Sequence, residues 1–358
     1  MNRLVMRHVV GFAMPASVLL GATWGGFWIF QTALGVFLAV PLLDLLVGAE
    51  RNEIRPPASS ARTGRVLFKS VTWAWVPFQL ALLVWAAHTA TRAQRSPQEL
   101  VGLTLSVGLT TGCIGVTFAH ELLHRRRRFE KVLADVLLLS VTYPHFRVAH
   151  VLGHHRHVGT AHDCGTARLG ESLYRFLGRA LSGNLVNAWR FETASVRRHG
   201  RSPCDPRNQM IQRGVALCVM YALIWRLFGA RGVALWAAQS AIAIFVLEAT
   251  NYLQHYGLTR AALEPGRYVS VQAHHSWDSP YQVSNWTLIN LAHHADHHLS
   301  PAKPYEALCH LTDAPQLPAG YSTMILLAMI PPLWRTVMDP RVAAWRTAHG
   351  STGAAQRT

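Results

Sequence analysis

Long stretches without a formal charge alternate with arginine-rich connectors along this chain, and the lengths of the apolar stretches predict its elements. Residues 8–43 contain no Asp, Glu, Lys or Arg. As one helix those residues would reach about 54 Å, against a hydrocarbon core of about 30 Å, so two crossings that turn near residues 21–26 are expected. Residues 70–91 and 100–119 are also free of formal charge, and each has the length of one crossing. Residues 214–225 and 232–247, linked through Arg226 and Arg231, read as a fifth and a sixth helix. The pattern predicts an all-α integral membrane protein of six transmembrane helices and one domain, residues 1–358. Its spans fall at about 8–48, 70–91, 100–119 and 212–252. No small-residue cleavage pattern follows the first apolar run, which excludes a secretory signal.

Between the spans the pattern changes. Residues 50–69, with Pro56-Pro57 and Ser59-Ser60, form a polar connector. Residues 132–141 are apolar but only long enough to pack or lie at an interface, and residues 163–199 read as amphipathic surface helices. Residues 321–334 are apolar but short and contain Pro331-Pro332, as an interfacial or re-entrant segment would.

Charge then sets the orientation. The net charge is +16 and mostly arginine; Arg3, Arg7, Arg51, Arg55, Arg62, Arg65, Lys69 and Arg125 to Arg128 fall on one side of a six-helix bundle, which the positive-inside rule makes cytoplasmic. Both termini and regions 120–211 and 253–358 belong to that side, in a bacterial-type inner membrane. Arg92 and Arg95, on the other side, run against the rule. The five cysteines include no C-x-x-C pair, so neither a disulfide framework nor an intrinsic iron–sulfur or rubredoxin-like module is expected. There is no G-x-G-x-x-G before a helix, so no cofactor-binding residue is named, and no nucleic-acid partner is expected.

Chemistry concentrates in three histidine clusters on the cytoplasmic side. His120-Glu121-Leu122-Leu123-His124 continues the fourth helix and places two imidazoles at i, i+4 on one face. His150, His154 and His155 follow at i, i+4 and i+5. In His293-His294-Ala295-Asp296-His297-His298, the residues His294, His297 and His298 stand at i, i+3 and i+4, where they can converge on one centre. At the end of the sixth helix Glu248, Tyr252 and His255 form one stripe toward the same side, and a carboxylate in such a helix needs a partner. The number of candidate ligands exceeds the four of a zinc site and points to two metals, whose identity imidazole alone does not decide. Two rivals stand beside this reading. His120 to His124 is formally H-E-x-x-H, the pattern of a membrane zinc metalloprotease with Glu121 as general base, but that leaves the other clusters idle. A metal transporter or sensor would need polar residues inside several helices, and the first four are nearly free of them.

These residues carry a resemblance. The chain resembles the integral-membrane alkane 1-monooxygenases and xylene monooxygenases of the fatty acid desaturase and hydroxylase superfamily. The matching motifs are H-E-L-x-H at His120, H-x-x-x-H-H at His150, N-Y-x-x-H-Y-G at Asn251 and H-x-x-H-H at His294, with Arg168 to Tyr174, His275 to Ser279 and Met338-Asp339-Pro340 between and after them. The resemblance implies a cytoplasmic helical cap in which His120, His124, His150, His154, His155, His255, His294, His297 and His298 hold two iron ions as a non-haem di-iron centre, with His293 a bystander. It implies O2-dependent hydroxylation of an unactivated terminal C–H bond, most simply alkane to 1-alkanol, on a hydrophobic substrate taken from the bilayer. Electrons come from rubredoxin or a ferredoxin-type reductase. Glu121, Glu248, Asp296 and Asp278 are candidates to orient ligand imidazoles. Ala149 and Gln254 stand where the alkane enzymes typically have Glu, a departure toward the xylene type, so alkyl-arene hydroxylation and fatty acyl desaturation or hydroxylation stay open. Val36 and Ala39 on the second helix, with Gly108 and Gly112 on the fourth, are candidates to leave a substrate slot; helix packing is the plainer reason for such small residues.

Overall fold

The reversal expected near residues 21–26 is built from glycines. In the computed structural model, which describes residues 7–50, 62–92, 94–264 and 266–350, Gly25 and Gly26 have φ of 70° and 54°, values that cost a residue with a Cβ. They join α1 (Ala13–Trp24) to α2 (Gly26–Val47). Arg3, Arg51, Arg55 and the Pro56-Pro57 connector lie outside the described residues.

Among the described residues, four helices are long and apolar enough to cross a membrane: α2, the Val66–Arg92 part of α3 (Arg62–Arg92), α4 (Pro97–Leu123), and a helix over Gln209–His255. The chain is therefore a mostly helical membrane protein. α1, with 12 residues, is too short to span alone. The Gln209–His255 helix contains the region expected to hold the fifth and sixth helices, and Gly229 (φ 61°, ψ −162°) bends it into two arms between Arg226 and Arg231. α4 starts at a capping box, with Ser96 and Glu99 each bonding the other's backbone N–H, which satisfies two otherwise orphaned donors. Large apolar side chains stay exposed where lipid would lie, among them Leu38, Leu42 and Leu46 on α2 and Val215, Val219 and Leu223 on the first arm of the last span.

The remaining elements cover one end of this bundle. They are α5 (Arg128–Ser140), α6 (residues 146–157) and α7 (Leu173–Arg198) and, after the spanning helix α8 (Gln209–His255), α9 (Gln282–Thr287), α10 (His294–Leu299), α11 (Tyr321–Ala328) and α12 (Pro331–Gly350). α7 is one amphipathic helix: Phe176, Ala180, Asn184, Ala188, Glu192 and Val196, each four residues apart, are buried, the stripe that a helix lays on its neighbours. Residues 321–334, expected to be interfacial or re-entrant, fall in α11 and the start of α12, and Tyr321, Met324, Ile325, Trp334 and Met338 bury themselves in one core with Tyr252 of α8 and Tyr256 just beyond it. One feature departs from the all-α expectation: a short exposed antiparallel hairpin, β1 (Ala262–Glu264) with β2 (Arg267–Tyr268).

Three helices contain π-helical segments, in which the hydrogen bond closes over five residues instead of four: Gly35–Ala39 in α2, Thr111–Gly115 in α4 and Ala149–His154 in α6. Small residues let α4 and α8 meet. A Cβ on Gly108 would stand 2.6 Å from Cβ of Ile242, and one on Gly112 would stand 2.9 Å from Cα of Ala243. Gly108 thus serves packing, whereas Gly112, Val36 and Ala39 also line a cavity.

Candidate metal centre and its apolar cavity

Nine histidines from four elements converge at the covered end of the bundle, in two groups. His120, His124, His150, His155 and His297 form one; His154, His255, His294 and His298 form the other. Local structure explains the division. His150 and His155 are five residues apart and on an ordinary helix would diverge, but the π segment brings them into register, with their Nε2 atoms 2.9 Å apart. His154, between them, is directed to the second group, 3.3 Å from Nε2 of His298. α10 is split likewise: His294 and His298 stay together, Nε2 to Nε2 at 3.0 Å, while His297 reaches His155 at 3.2 Å. The expectation that His294, His297 and His298 converge on one centre is therefore corrected: His294 and His298 fall in one group, and His297, offset to one side of them on the helix, falls in the other. The groups abut, the rings of His155 and His298 having centroids 4.7 Å apart.

The donor chemistry fits metal ions. Nε2 of His155 lies 2.9 Å from that of His150, 3.1 Å from that of His124 and 3.2 Å from that of His297. One ring proton serves only one such contact. Four lone pairs directed at an ion about 2.1 Å away place neighbouring nitrogens about 3.0 Å apart at right angles, which is the spacing present. Burial, with charge repulsion among neighbouring imidazoles, holds His150, His155, His294, His297 and His298 well below the ordinary histidine value, so these rings are neutral, the state in which imidazole ligates.

One carboxylate orients a ring of the nine. Asp163 Oδ2 accepts from Nδ1 of His154 at 2.9 Å, and the same carboxylate accepts from the Thr166 hydroxyl and the Gly165 N–H. Burial alone would raise this carboxyl, but the imidazole charge and the three hydrogen bonds outweigh it and bring it down to about 2. A Cβ on Gly165 would meet His154 Nδ1 at 2.8 Å, so the turn needs glycine there. The sequence signal was Asp163-Cys164-Gly165-Thr166, an Asp whose side chain bonds the N–H two residues on. His255 turns its Nδ1 toward the carbonyl of His275, at 3.5 Å.

The four carboxylates named from the sequence are engaged elsewhere. Glu121 pairs with Arg125 at 3.3 Å and accepts from the Tyr305 N–H. Glu248 accepts from the Tyr143 hydroxyl at 2.8 Å and from Asn184 and Asn251. Asp296 pairs with Lys303 and accepts from the Cys309 N–H. Asp278 accepts from the Ala295 N–H at 2.7 Å, and burial still pushes its carboxyl up to about 8. Among the described residues, none of the four bonds a ring nitrogen of the nine. The zinc-protease reading also loses its general base, because Glu121 is held by Arg125.

The motifs outside the histidines build the frame. Tyr252 donates to the carbonyl of Glu171 at 2.6 Å, Tyr256 donates to Asp339 at 2.6 Å and accepts from the Gly170 N–H, and Trp277 donates to the carbonyl of Tyr256. The Asn251, Arg168, His275 and Met338 motifs thus clamp the end of α8 that carries His255.

A cavity of about 270 Å³ lies between α1, α2, α4, α8 and α11. Its walls are mainly apolar, including Met14, Val36, Phe37, Leu43, Val246 and Ile325. A narrow continuation shares Gly112, Thr117, Thr250 and Leu291 with it and ends on His120 and His294, one from each histidine group.

Comparison with known proteins agrees with this geometry. The family model for fatty acid desaturases matches residues 97–328. Alkane 1-monooxygenase 1 of Pseudomonas aeruginosa is 38% identical over 322 residues, covering 89% of this chain and 84% of the relative. Alkane 1-monooxygenase 2 of Alcanivorax borkumensis is 36% identical over 339 residues, covering 93% and 88%. The xylene/toluene monooxygenase hydroxylase component of Pseudomonas putida is 27% identical over 353 residues, covering 97% and 92%.

Proposed function

This chain belongs to the fatty acid desaturase family and, within it, groups with the alkane 1-monooxygenases, and from that premise we propose that it is a membrane oxidoreductase that converts an alkane to the 1-alkanol. The observation that carries the reading is the apolar cavity whose narrow end meets both histidine groups. The overall change joins the alkane, O2, two electrons and two protons to give alcohol and water.

The histidine groups and the family together point to metal use. We assign two non-haem irons, one to His120, His124, His150, His155 and His297 and one to His154, His255, His294 and His298. Bound there, they would supply the activation of O2. The chain's own work is positioning and exclusion of water. Val36, Phe37 and Ile325 hold the alkyl chain, and the passage past Gly112, Thr117, Thr250 and Leu291 delivers one end of it to His120 and His294. Asp163 fixes the ring plane and tautomer of His154, as outer carboxylates do for ligand imidazoles.

The covered end is assigned to the cytoplasm, with the spans in the inner membrane, on the placement of Arg126, Arg127 and Arg128. All three are exposed, and they offer a surface for an acidic electron donor such as rubredoxin or a ferredoxin-type reductase. Arg125 is excluded from that surface, since it binds Glu121 and the carbonyls of Ala302 and Lys303.

Conversion of octane, hexadecane and p-xylene by cells producing the protein, with products identified, tests the reading. Terminal alkanols are expected. Benzylic alcohol without alkanol would move the protein to the xylene type, and purified protein holding zinc without iron would overturn the metal assignment.

A further inference from the structure

A third cluster of metal-ligating side chains lies beside the two histidine groups and takes no part in either. Asp278, His293 and His310 are all buried, at 0%, 2% and 7% exposure, and each offers a donor atom within 4.8 Å of the other two. His293 adjoins His294 in sequence, yet the two belong to different groups. His293 precedes α10 with φ −83° and ψ 57°, so its ring leaves on the opposite side. The preceding turn holds Ile289 and Asn290 at φ 44° and 61°, and a β-branched residue in that region is strained backbone that the surrounding structure must impose.

Two of the three donors have a specific deficit. Asp278 Oδ1 accepts from the Ala295 N–H, but Oδ2 is buried without a hydrogen-bond partner, and so is Nδ1 of His293. Buried polar atoms are nearly always paired, and an orphan calls for an explanation such as an ion. The backbone of Asp278 is fixed independently: its N–H donates to the carbonyl of Pro315 and its carbonyl accepts from Leu317. The carboxylate is therefore presented to the imidazoles by a rigid strand-like segment, as ligands of a built site are.

We propose that Asp278, His293 and His310 form a third metal site, which takes one divalent transition ion of the zinc class. Two imidazoles and one carboxylate are the protein ligands of many zinc sites. The imidazoles disfavour magnesium and calcium, and the carboxylate disfavours monovalent copper. The ion satisfies Oδ2 of Asp278 and Nδ1 of His293 at once. It ties together three segments, the stretch around Asp278, the turn before α10 and the loop around His310, and so braces the helix that carries His294, His297 and His298. The inference goes beyond the proposed oxygenase activity and does not depend on it.

Metal analysis of the purified full-length protein, after dialysis against a weak chelator, tests the site in the wild type, His310→Gln and Asp278→Asn. The expected result is one zinc-class ion fewer per chain in each variant, with iron unchanged. Equal metal content in all three proteins would overturn the proposal. If neither variant accumulates in folded form, the wild type decides: more than two ions per chain supports the site, and two or fewer refutes it. Absence of iron from all three proteins, with the zinc-class difference intact, would sink the di-iron assignment and leave this site standing.

Discussion

Val36→Trp should shorten the alkane that the protein prefers. Val36 lies in the π segment of α2, is 6% exposed and lines the cavity. An indole in place of the isopropyl group takes up roughly three water-sized units of about 30 Å³ each from the space beside Val36. Each methylene that no longer fits forfeits about 0.8 kcal/mol. Three forfeit about 2.4 kcal/mol, or roughly 60-fold in kcat/KM. The loss falls on long chains, because a short alkane still reaches the passage to His120 and His294. The assay is competition between octane and hexadecane with products separated by gas chromatography, and the hexadecane-to-octane ratio should fall by about that factor. Overpacking adds a stability cost of about 1–3 kcal/mol, so folded protein must be quantified alongside. An unchanged ratio in folded protein would remove Val36 from the substrate's path, and an equal loss on both alkanes would mean that the indole blocks access rather than length.

Asp163→Asn keeps the shape of the turn but weakens the hold on His154; metal in the four-histidine group should dissociate about 10–100-fold more readily, read as release to a chromogenic chelator. Acid should destabilise the fold through His145, whose imidazole is pushed down to about 4 by burial and then by the charge of Arg213. The unfolded chain takes up that proton near 6.5, so stability is indifferent above that value and falls by about 1 kcal/mol per unit as pH drops from about 6.5 toward 4. His145→Phe should flatten the slope of thermal midpoint against pH in that window. Neutralising Arg126, Arg127 and Arg128 together should slow reduction by an acidic donor at low salt and erase most of its salt dependence, measured by stopped-flow; an unchanged salt dependence would assign these arginines to the lipid headgroups.

Legibility from sequence followed the range of the interaction. Charge-free length located α3, α4 and the two arms of α8, because spanning hydrocarbon depends on composition summed along the chain. Histidine spacing located the three clusters at His120, His150 and His294, and the resemblance added His255, whose place beside His294 spacing alone does not supply. Orientation of those ligands was not legible. Asp163 was passed over for Glu121, Glu248, Asp296 and Asp278, although it adjoins His162 in sequence. Which carboxylate meets a ring nitrogen is decided by the turn at Gly165, whose missing Cβ lets His154 approach. Besides Arg125 and Lys303, Glu121 and Asp296 bind backbone N–H groups on other segments, at Tyr305 and at Cys309, and a one-dimensional pattern has no access to those.

The π segments explain why spacing found the clustered histidines but not their grouping. On α4, Gly108 and Gly112 face α8, and His120 must look into the same space to meet the end of the cavity. At about 100° per residue, His120 stands 12 residues beyond Gly108 and would be turned about 120° away. The segment Thr111–Gly115 absorbs one residue, and the offset falls to roughly 20°. The same device over Ala149–His154 pairs His150 with His155 and frees His154 for the second group. A sequence read with a single period of 3.6 keeps His150 and His154 on one face and predicts one convergent wall. The widened turn directs the two rings to different partners, and so divides one histidine group from the other.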